Sequence, residues 1–347
     1  MTSIPDADFS GNRQTSIDQD KVPSYAAIDL GTNNCRMLIA EPSANGFTVV
    51  DGFSEIVRLG EGLEKTGRLQ DAAMDRTIRA LIICANKIRS RKTSRVTCIA
   101  TEACRRASNG EEFIKRIKTE IGLNFVPVSP EEEARLTLGG CAPLLKPVPG
   151  KALLFDIGGG STEIMWINTY RQKHPEIEAV LSLPVGVVTL SERYDDPLPT
   201  TAYQEIISAI DSQLAQFCDR HNIKNSIDNR QVQMIGTSGT VTTLGAINLN
   251  LPRYNRSRID GLALDFSVLQ TVSDRLRSMS LDERRQIPCI GRGRADLMLM
   301  GCAVLEAICK RWPVGILTAA DRGIREGLLN AMIERDRLSG PIEASHG

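Results

Sequence analysis

The sequence predicts an α/β protein made of two halves, each built on a mixed sheet. Three observations carry this. Apolar strand-like runs alternate with segments of helical period along nearly the whole chain. Each half opens with an apolar strand ending in Asp-[Leu/Ile]-Gly, "YAAIDLG" at 25–31 and "ALLFDIG" at 152–158, followed by a turn and a second strand. A proline-rich stretch without helical period, "CAPLLKPVPGK" at 141–151, separates them. At 347 residues the chain is long for one core and comfortable for two domains.

In the first half, "YAAIDL" (25–30) and "CRMLIAE" (35–41) are strands joined by the short turn "GTNN", a hairpin. "FTVVDGFSEIV" (47–57) is a third strand. A helix follows with Met74, Ile78, Leu81, Ile82 and Ile88 on one face. After the strand "RVTCIA" (95–100), a second helix carries Phe113, Ile114, Ile117 and Ile121 and closes at Gly122. "NFVPV" (124–128) is a short strand. In "SPEEEARL" (129–136), Ser129 fits an N-cap, Pro130 the first helical position and Glu132 the capping-box partner.

The second half restarts with "ALLFD" (152–156), a glycine turn and "EIMWI" (163–167), then a strand near 177–183. A helix from about 201 turns Ile206, Ile207, Ile210, Leu214 and Phe217 inward. The strand "VQMI" (232–235) leads into "GTSGT" (236–240) and another helix. Helices over about 267–279 and 293–311, the strand "VGILTA" (314–319) and a last helix from Asp321 complete the plan. The expected organisation is a tail at 1–22, domains at 23–143 and 144–320, a last helix at 321–338 packing back on the first domain, and a tail at 339–347. In such folds ligands sit at strand ends, here in the cleft between the halves.

Composition narrows the function. Lys+Arg and Asp+Glu both number 42, so no global field favours nucleic acid or a membrane surface. The nine cysteines form no Cys-x-x-Cys pair, which argues against a zinc site or redox dithiol and fits a reducing cytosol. Only three histidines occur, His174, His221 and His346, so chemistry falls to carboxylates, hydroxyls, arginines and backbone amides. The opening "MTSIPDADFSGNRQTSIDQDK" has no apolar core of a signal peptide, and a cytoplasmic location is expected. The uncharged run from Gln231 is too rich in Gly, Thr and Asn for a membrane span.

Five features carry chemistry. In "DLGTN", Asp29 to Asn33, Gly31 permits a tight turn whose amides and Thr32 hydroxyl can meet an anion, while Asp29 can hold a metal through water. An ordinary Asp-x-Gly hairpin turn is the bland alternative. In "DIGGGSTE", Gly158, Gly159 and Gly160 strip the backbone for close approach, Ser161 and Thr162 add hydroxyls, and Asp156 and Glu163 bracket the turn as partners for a hydrated Mg²⁺. In "GTSGT", Ser238, Gly239 and Thr240 bring a helix N-terminus to an anion, or form a plain cap. Glu131 and Glu132 suit the helix dipole, whereas Glu133 lies one residue deeper. Arg105 or Arg106 follows a strand end, and Arg253, Arg256, Arg258, Arg292 and Arg294 form local basic clusters, either solvated loops or a track for a polyanion. Three glycine-hydroxyl anion turns over two halves imply a phosphate ligand in the interdomain cleft.

At these residues the chain resembles the exopolyphosphatase / guanosine pentaphosphate phosphohydrolase (Ppx/GppA) family. "AIDLGTNN", "ATEACR", "SPEEEARL", "LLFDIGGGSTE", "GTSGT" and "DRGIREGLL" occur in that family's order, over about residues 24–335. The resemblance implies two ribonuclease H-like domains of the actin–Hsp70–sugar kinase superfamily. It implies that Glu133 activates or orients the attacking water and that Asp156 and Glu163 are associated with Mg²⁺ or Mn²⁺. It likewise implies that Asp29, Gly31, Thr32, Asn33, Gly158, Gly159, Gly160, Ser161, Thr162, Ser238, Gly239 and Thr240 hold phosphate, with Arg105 in contact with it. The chain departs from many members in "NCR" after "DLGTN", and looks like a short form without a C-terminal helical domain. The implied substrate is inorganic polyphosphate or guanosine pentaphosphate, with neither nucleic acid nor membrane as partner, and a homodimer as the assembly. A superfamily kinase and a non-enzymatic polyphosphate or nucleotide sensor are the rival expectations.

Overall fold

A computed structural model of the chain describes residues 22–44, 46–170, 175–291 and 293–339. The expected tails, save Val22 and Ser339, fall outside them, as do Arg292, His174 and His346.

Two sheets form the frame. The first comprises β1 (Tyr25–Leu30), β2 (Asn34–Ser43), β3 (Gly46–Ile56), β4 (Arg95–Ala100) and β5 (Phe125–Pro127), in the order β3-β2-β1-β4-β5. The second comprises β6 (Lys151–Ile157), β7 (Thr162–Asn168), β8 (Glu176–Leu183), β9 (Val232–Thr237), β10 (Ala263–Asp265) and β11 (Ile316–Ala320), in the order β10-β11-β9-β6-β7-β8. Each has its leading strand in the middle, antiparallel to a meander on one side and parallel to helix-connected strands on the other. The shared plan is that of a ribonuclease H-like unit, with β10 an added antiparallel edge on the second copy. The leading strands read as continuous apolar runs because helices cover both their faces: Tyr25 to Ile28 and Ala152 to Phe155 are all buried.

The helices follow their apolar faces, with local exceptions. In the helix Asp71–Arg91, Met74, Ile78, Leu81 and Ile88 are buried, but Ile82 is 43% exposed and Ile83 42%. At 100° per residue a run of three apolar residues cannot all face inward, and Leu81 takes the inner position. Ser129 caps the helix Pro130–Cys141 by accepting from the Glu132 amide at 3.2 Å. The reciprocal half of the capping box is not made, because the Glu132 carboxylate pairs with Arg135 at 2.6 and 2.7 Å. The helix expected from 293 starts at Met298, after a turn containing Gly291 at φ 73°.

Two helices tie the halves together. The helix Ile324–Ser339 leaves the second sheet and covers the first, burying Ile324, Leu328, Leu329, Met332 and Ile333 against Tyr25, Ala27, Leu38 and Ile99. Tyr25 Oη donates to Asp336 at 2.7 Å, and Arg95 pairs with the same carboxylate at 2.8 Å. On its way it crosses the helix Pro130–Cys141 backbone to backbone. A Cβ on Gly140 would lie 2.0 Å from Gly323 O, and one on Gly327 would lie 1.9 Å from Leu136 O. Among the described residues no helix is long and apolar enough to cross a membrane.

Candidate active site

The two Asp-x-Gly turns face each other where the leading strands end. In the first, β1 and β2 pair Leu30 with Cys35 and Asp29 with Arg36, and Gly31 N donates to Asn34 O at 2.9 Å. The Thr32 carbonyl accepts from Gly60 N at 2.9 Å, and the Asn33 carbonyl from Val57 N and Arg58 N at 2.9 and 3.0 Å. In the second, Gly158 N donates to Ser161 O, while the Gly158 and Gly159 carbonyls accept from Val187 N and Val188 N at 3.0 and 2.8 Å. In both turns the carbonyls are tied back from behind. The amides of Thr32, Asn33, Gly159 and Gly160 donate to no described residue. Such an arrangement of bare N–H groups is an anion nest. The approach of the halves leaves little room for side chains here: a Cβ on Gly159 would crowd Asn33 N at 3.1 Å, and one on Gly160 would lie 2.7 Å from Thr32 Oγ1.

Between the turns lies a cavity of about 120 Å³, lined by Asp29, Gly31, Thr32, Asn33, Glu133, Asp156, Gly158 to Ser161 and Ser238 to Thr240. The third turn opens the helix Gly239–Asn248 into this space, so the positive end of its dipole faces the cavity. Ser238 accepts from Val241 N at 3.2 Å while holding φ 153° and ψ 168°, a conformation rare outside glycine, at a turn that meets the cleft. Buried acceptors without a partner also line the space: Asp29 Oδ1, Asn33 Oδ1 and Asn34 Oδ1. Orphaned acceptors of this kind signal a missing cation or donor.

The carboxylates sit behind and beside the phosphate turns. Asp156 and Glu163 are register partners across β6 and β7, so they stand side by side. Asp156 lines the cavity; Glu163 lies behind it, 2% exposed, accepting from Ser182 Oγ at 3.1 Å. Burial raises Asp156 to about 7, helped by the charge of Glu133. Burial likewise raises Glu163 to about 7, against hydrogen bonds from Ser161 and Ser182. Glu133 is raised to about 8 by burial and then by the charge of Glu163, while Arg105 opposes the shift. Asp29 is raised by burial. Repulsion among carboxylates facing an anion nest is what a divalent cation would relieve. No three acidic, histidine or cysteine side chains among the described residues close around one point. Asp156 and its neighbours would suit a cation that keeps part of its water shell, and they do not form an all-protein cage.

Several expected contacts lie elsewhere. Thr162 is fully buried and its hydroxyl donates to Val185 O at 2.7 Å, so it does not reach the cleft. The reason is its place as the first residue of β7, where the sheet has already closed over it. Arg105 does not line the cavity: it donates to Glu133 Oε2 at 2.9 Å, Glu102 Oε2 at 2.8 Å and Val128 O at 2.5 Å. The supposed arginine track divides. Arg253 and Arg258 are exposed and line no cavity beside the cleft, and Arg292 is outside the described residues. Arg256 and Arg294 line a second cavity of about 490 Å³ that opens beside the first, but Arg256 is paired with Glu326 at 2.5 Å.

Of the expected track Arg294 does reach the cleft, and the structure adds Arg36 and Arg325, which motif reading left without a role. Arg36, Arg294 and Arg325 line the second cavity and form no ion pair with any described residue. For Arg36 the signal was present, since a four-residue turn over 31–34 places it opposite Asp29. Arg325 lies inside "DRGIREGLL" and Glu102, which also lines the first cavity, inside "ATEACR".

A rim of contacts closes the cleft from one side. Arg58 pairs with Asp296 at 2.8 Å, and Glu192 accepts from the amides of Gly62 and Glu64 at 2.5 and 3.2 Å. Glu64 pairs with Arg106 on its own half and with Arg193 on the other.

Comparison with known proteins bears on the family of the chain. The sequence model of the Ppx/GppA phosphatase family matches residues 38–336. The chain is 30% identical to Exopolyphosphatase 2 of Mycobacterium tuberculosis over 322 residues, 87% of this chain and 96% of that protein. The crystal structure of the Aquifex aeolicus Ppx/GppA family member superposes with a TM-score of 0.74 at 28% identity, covering 91% of this chain and 99% of the other. An exopolyphosphatase from Cytophaga hutchinsonii shares the fold with a TM-score of 0.81 at 24% identity, over 90% of this chain and 98% of that one. Facing amide turns, a buried glutamate beside them and a likeness that runs through both halves converge on one conclusion: the chain belongs to the Ppx/GppA phosphatase family.

Proposed function

We propose that the protein is an exopolyphosphatase that hydrolyses the terminal phosphoanhydride of inorganic polyphosphate and releases orthophosphate. The observation that carries this is the pair of opposed turns whose amides are free and whose space ends at Glu133. The amides of Thr32, Asn33, Gly159 and Gly160 hold the terminal phosphoryl group and stabilise the charge that develops on it. Glu133, with Oε2 fixed by Arg105, has its other oxygen available to align a water or take its proton for in-line attack. A Mg²⁺ held by Asp156, with Asp29 and Glu163 beside it, would neutralise phosphate oxygens. The unpaired arginines Arg36, Arg294 and Arg325 give the rest of the polyanion a place to lie.

Guanosine pentaphosphate is the competing substrate, because the second cavity, at about 490 Å³, is larger than a phosphate chain requires. Both present a terminal phosphoanhydride to the same turns. Measuring kcat/KM side by side for short polyphosphate, long polyphosphate and guanosine pentaphosphate decides between them. The proposal expects the highest value on polyphosphate. A preference of tenfold or more for guanosine pentaphosphate, about 1.4 kcal/mol, assigns the second cavity to a nucleoside. Phosphate release only with an added alcohol or carboxylate acceptor would make the protein a kinase.

A further inference from the structure

We propose that Glu102 is a positioning residue of the hydrolysis, acting through Arg105 on Glu133. This rests on the proposed function of the site and adds a residue to its machinery. Glu102 begins the short helix Glu102–Arg106, and its Oε2 accepts from Arg105 Nη2 at 2.8 Å, one turn away. Arg105 Nη1 donates to Glu133 Oε2 at 2.9 Å and to Val128 O at 2.5 Å. Side chains of Arg105 and Glu133 are 17% and 10% exposed, so water competes little for these contacts. A guanidinium is a rigid planar fork. Holding one prong on Glu102 sets the plane of the group and, with it, the direction from which the other prong grips Glu133.

A second observation separates Glu102 from an ordinary ion-pair partner. It lines the anion cavity, where a bare carboxylate would repel phosphate. Its pairing with Arg105 offsets part of that repulsion. Its stem also rests on the phosphate turn of the other half, since a Cβ on Gly160 would lie 2.8 Å from Glu102 Cγ and 2.7 Å from Thr32 Oγ1. An unbroken line of contacts thus runs from the second turn through Glu102 and Arg105 to Glu133. Glu102 orients the group that meets water and leaves the holding of phosphate to the amides.

The test uses the full chain with Mg²⁺ and short polyphosphate, following phosphate release. Glu102→Ala is expected to lower kcat about 10- to 100-fold with KM within about threefold, the range that small misplacement of a reacting group produces. Glu102→Gln keeps an acceptor for Nη2 and is expected to recover to within about fivefold of the unaltered protein. A Glu102→Ala protein whose kcat stays within about twofold, or whose loss lies only in KM, overturns the proposal. Arg105→Lys supplies a double-mutant cycle that does not depend on either variant alone. If Glu102 acts through Arg105, adding Glu102→Ala to Arg105→Lys lowers kcat little further; additive losses sink the idea. The unaltered protein and Glu133→Gln run alongside keep the two claims apart. No release by the unaltered protein defeats the exopolyphosphatase reading. Release that depends on Glu133 but ignores Glu102 defeats only the inference drawn here.

Discussion

Glu133 occupies a position that opposes its own charge. Burial and the neighbouring Glu163 raise it from 4.5 to about 8, and only Arg105 works in the other direction. Between those two values the folded protein retains a proton that the unfolded chain has released. Stability from this group is therefore full below pH 4.5 and is lost as pH rises through about 8. Glu133→Gln carries no such loss. In metal-free protein it should melt about 2 °C or more above the unaltered chain at pH 8, and the gap should narrow as pH falls toward 5. The same variant should lower kcat by about 10²- to 10⁴-fold on polyphosphate. A thermal scan over pH and a phosphate-release assay check the two halves. A Glu133→Gln protein that is less stable at pH 8 would mean that its carboxylate is well accommodated. At this scale the turns were legible because glycines, hydroxyls and carboxylates lie together in sequence. The parts of Glu102 and Arg325 were not, because these distant segments reach one cleft only after folding. The arginines at 253 and 258 mislead for the converse reason: a basic run does not state which way it faces.

The helix Pro130–Cys141 carries Glu133 at one end and glycines at the other. Its crossing with Ile324–Ser339 is close enough that backbone carbonyls fill the space a methyl would need. Gly140→Ala and Gly327→Ala should each cost about 1–3 kcal/mol or more through overpacking. Gly139 is the control, because its added Cβ would meet only Gly327 Cα at an ordinary 3.5 Å. Gly139→Ala should be neutral or stabilising by up to about 1 kcal/mol, as expected for alanine within a helix. Urea unfolding of the three variants checks this order. Equal effects at 139 and 140 would mean that the crossing yields easily. Element types were legible from period and caps, including the N-cap of this helix. The glycine crossing was not, because its two faces lie almost two hundred residues apart, as the Gly139 carbonyl bonded to Asn330 illustrates at a separation of 191.

Across the whole molecule, the rim contacts hold the halves together on one side of the cleft. Exposed ion pairs are each worth about 0–1 kcal/mol and weaken with salt. The Glu192 carboxylate, which accepts from two backbone amides, is the more directional of these ties. Glu192→Ala should raise KM several-fold and enlarge the radius of gyration measured by small-angle scattering without substrate. An unchanged radius and KM would assign closure to the buried turns alone. The two-half plan was legible from the repeated strand-turn-strand openings; the rim was not, since its partners are separated by 130 residues and share no motif. The last helix has a consequence of another kind. Its apolar face covers the side of the first sheet formed by Tyr25, Ala27, Leu38 and Ile99. During synthesis those residues leave the ribosome well ahead of the segment that shields them, as Tyr25 and its partner Asp336, 311 residues apart, illustrate. The first half must wait, with one face of its sheet bare, until the helix Ile324–Ser339 has been translated. That interval is when a chaperone or a stray neighbouring chain has its best opportunity to bind it.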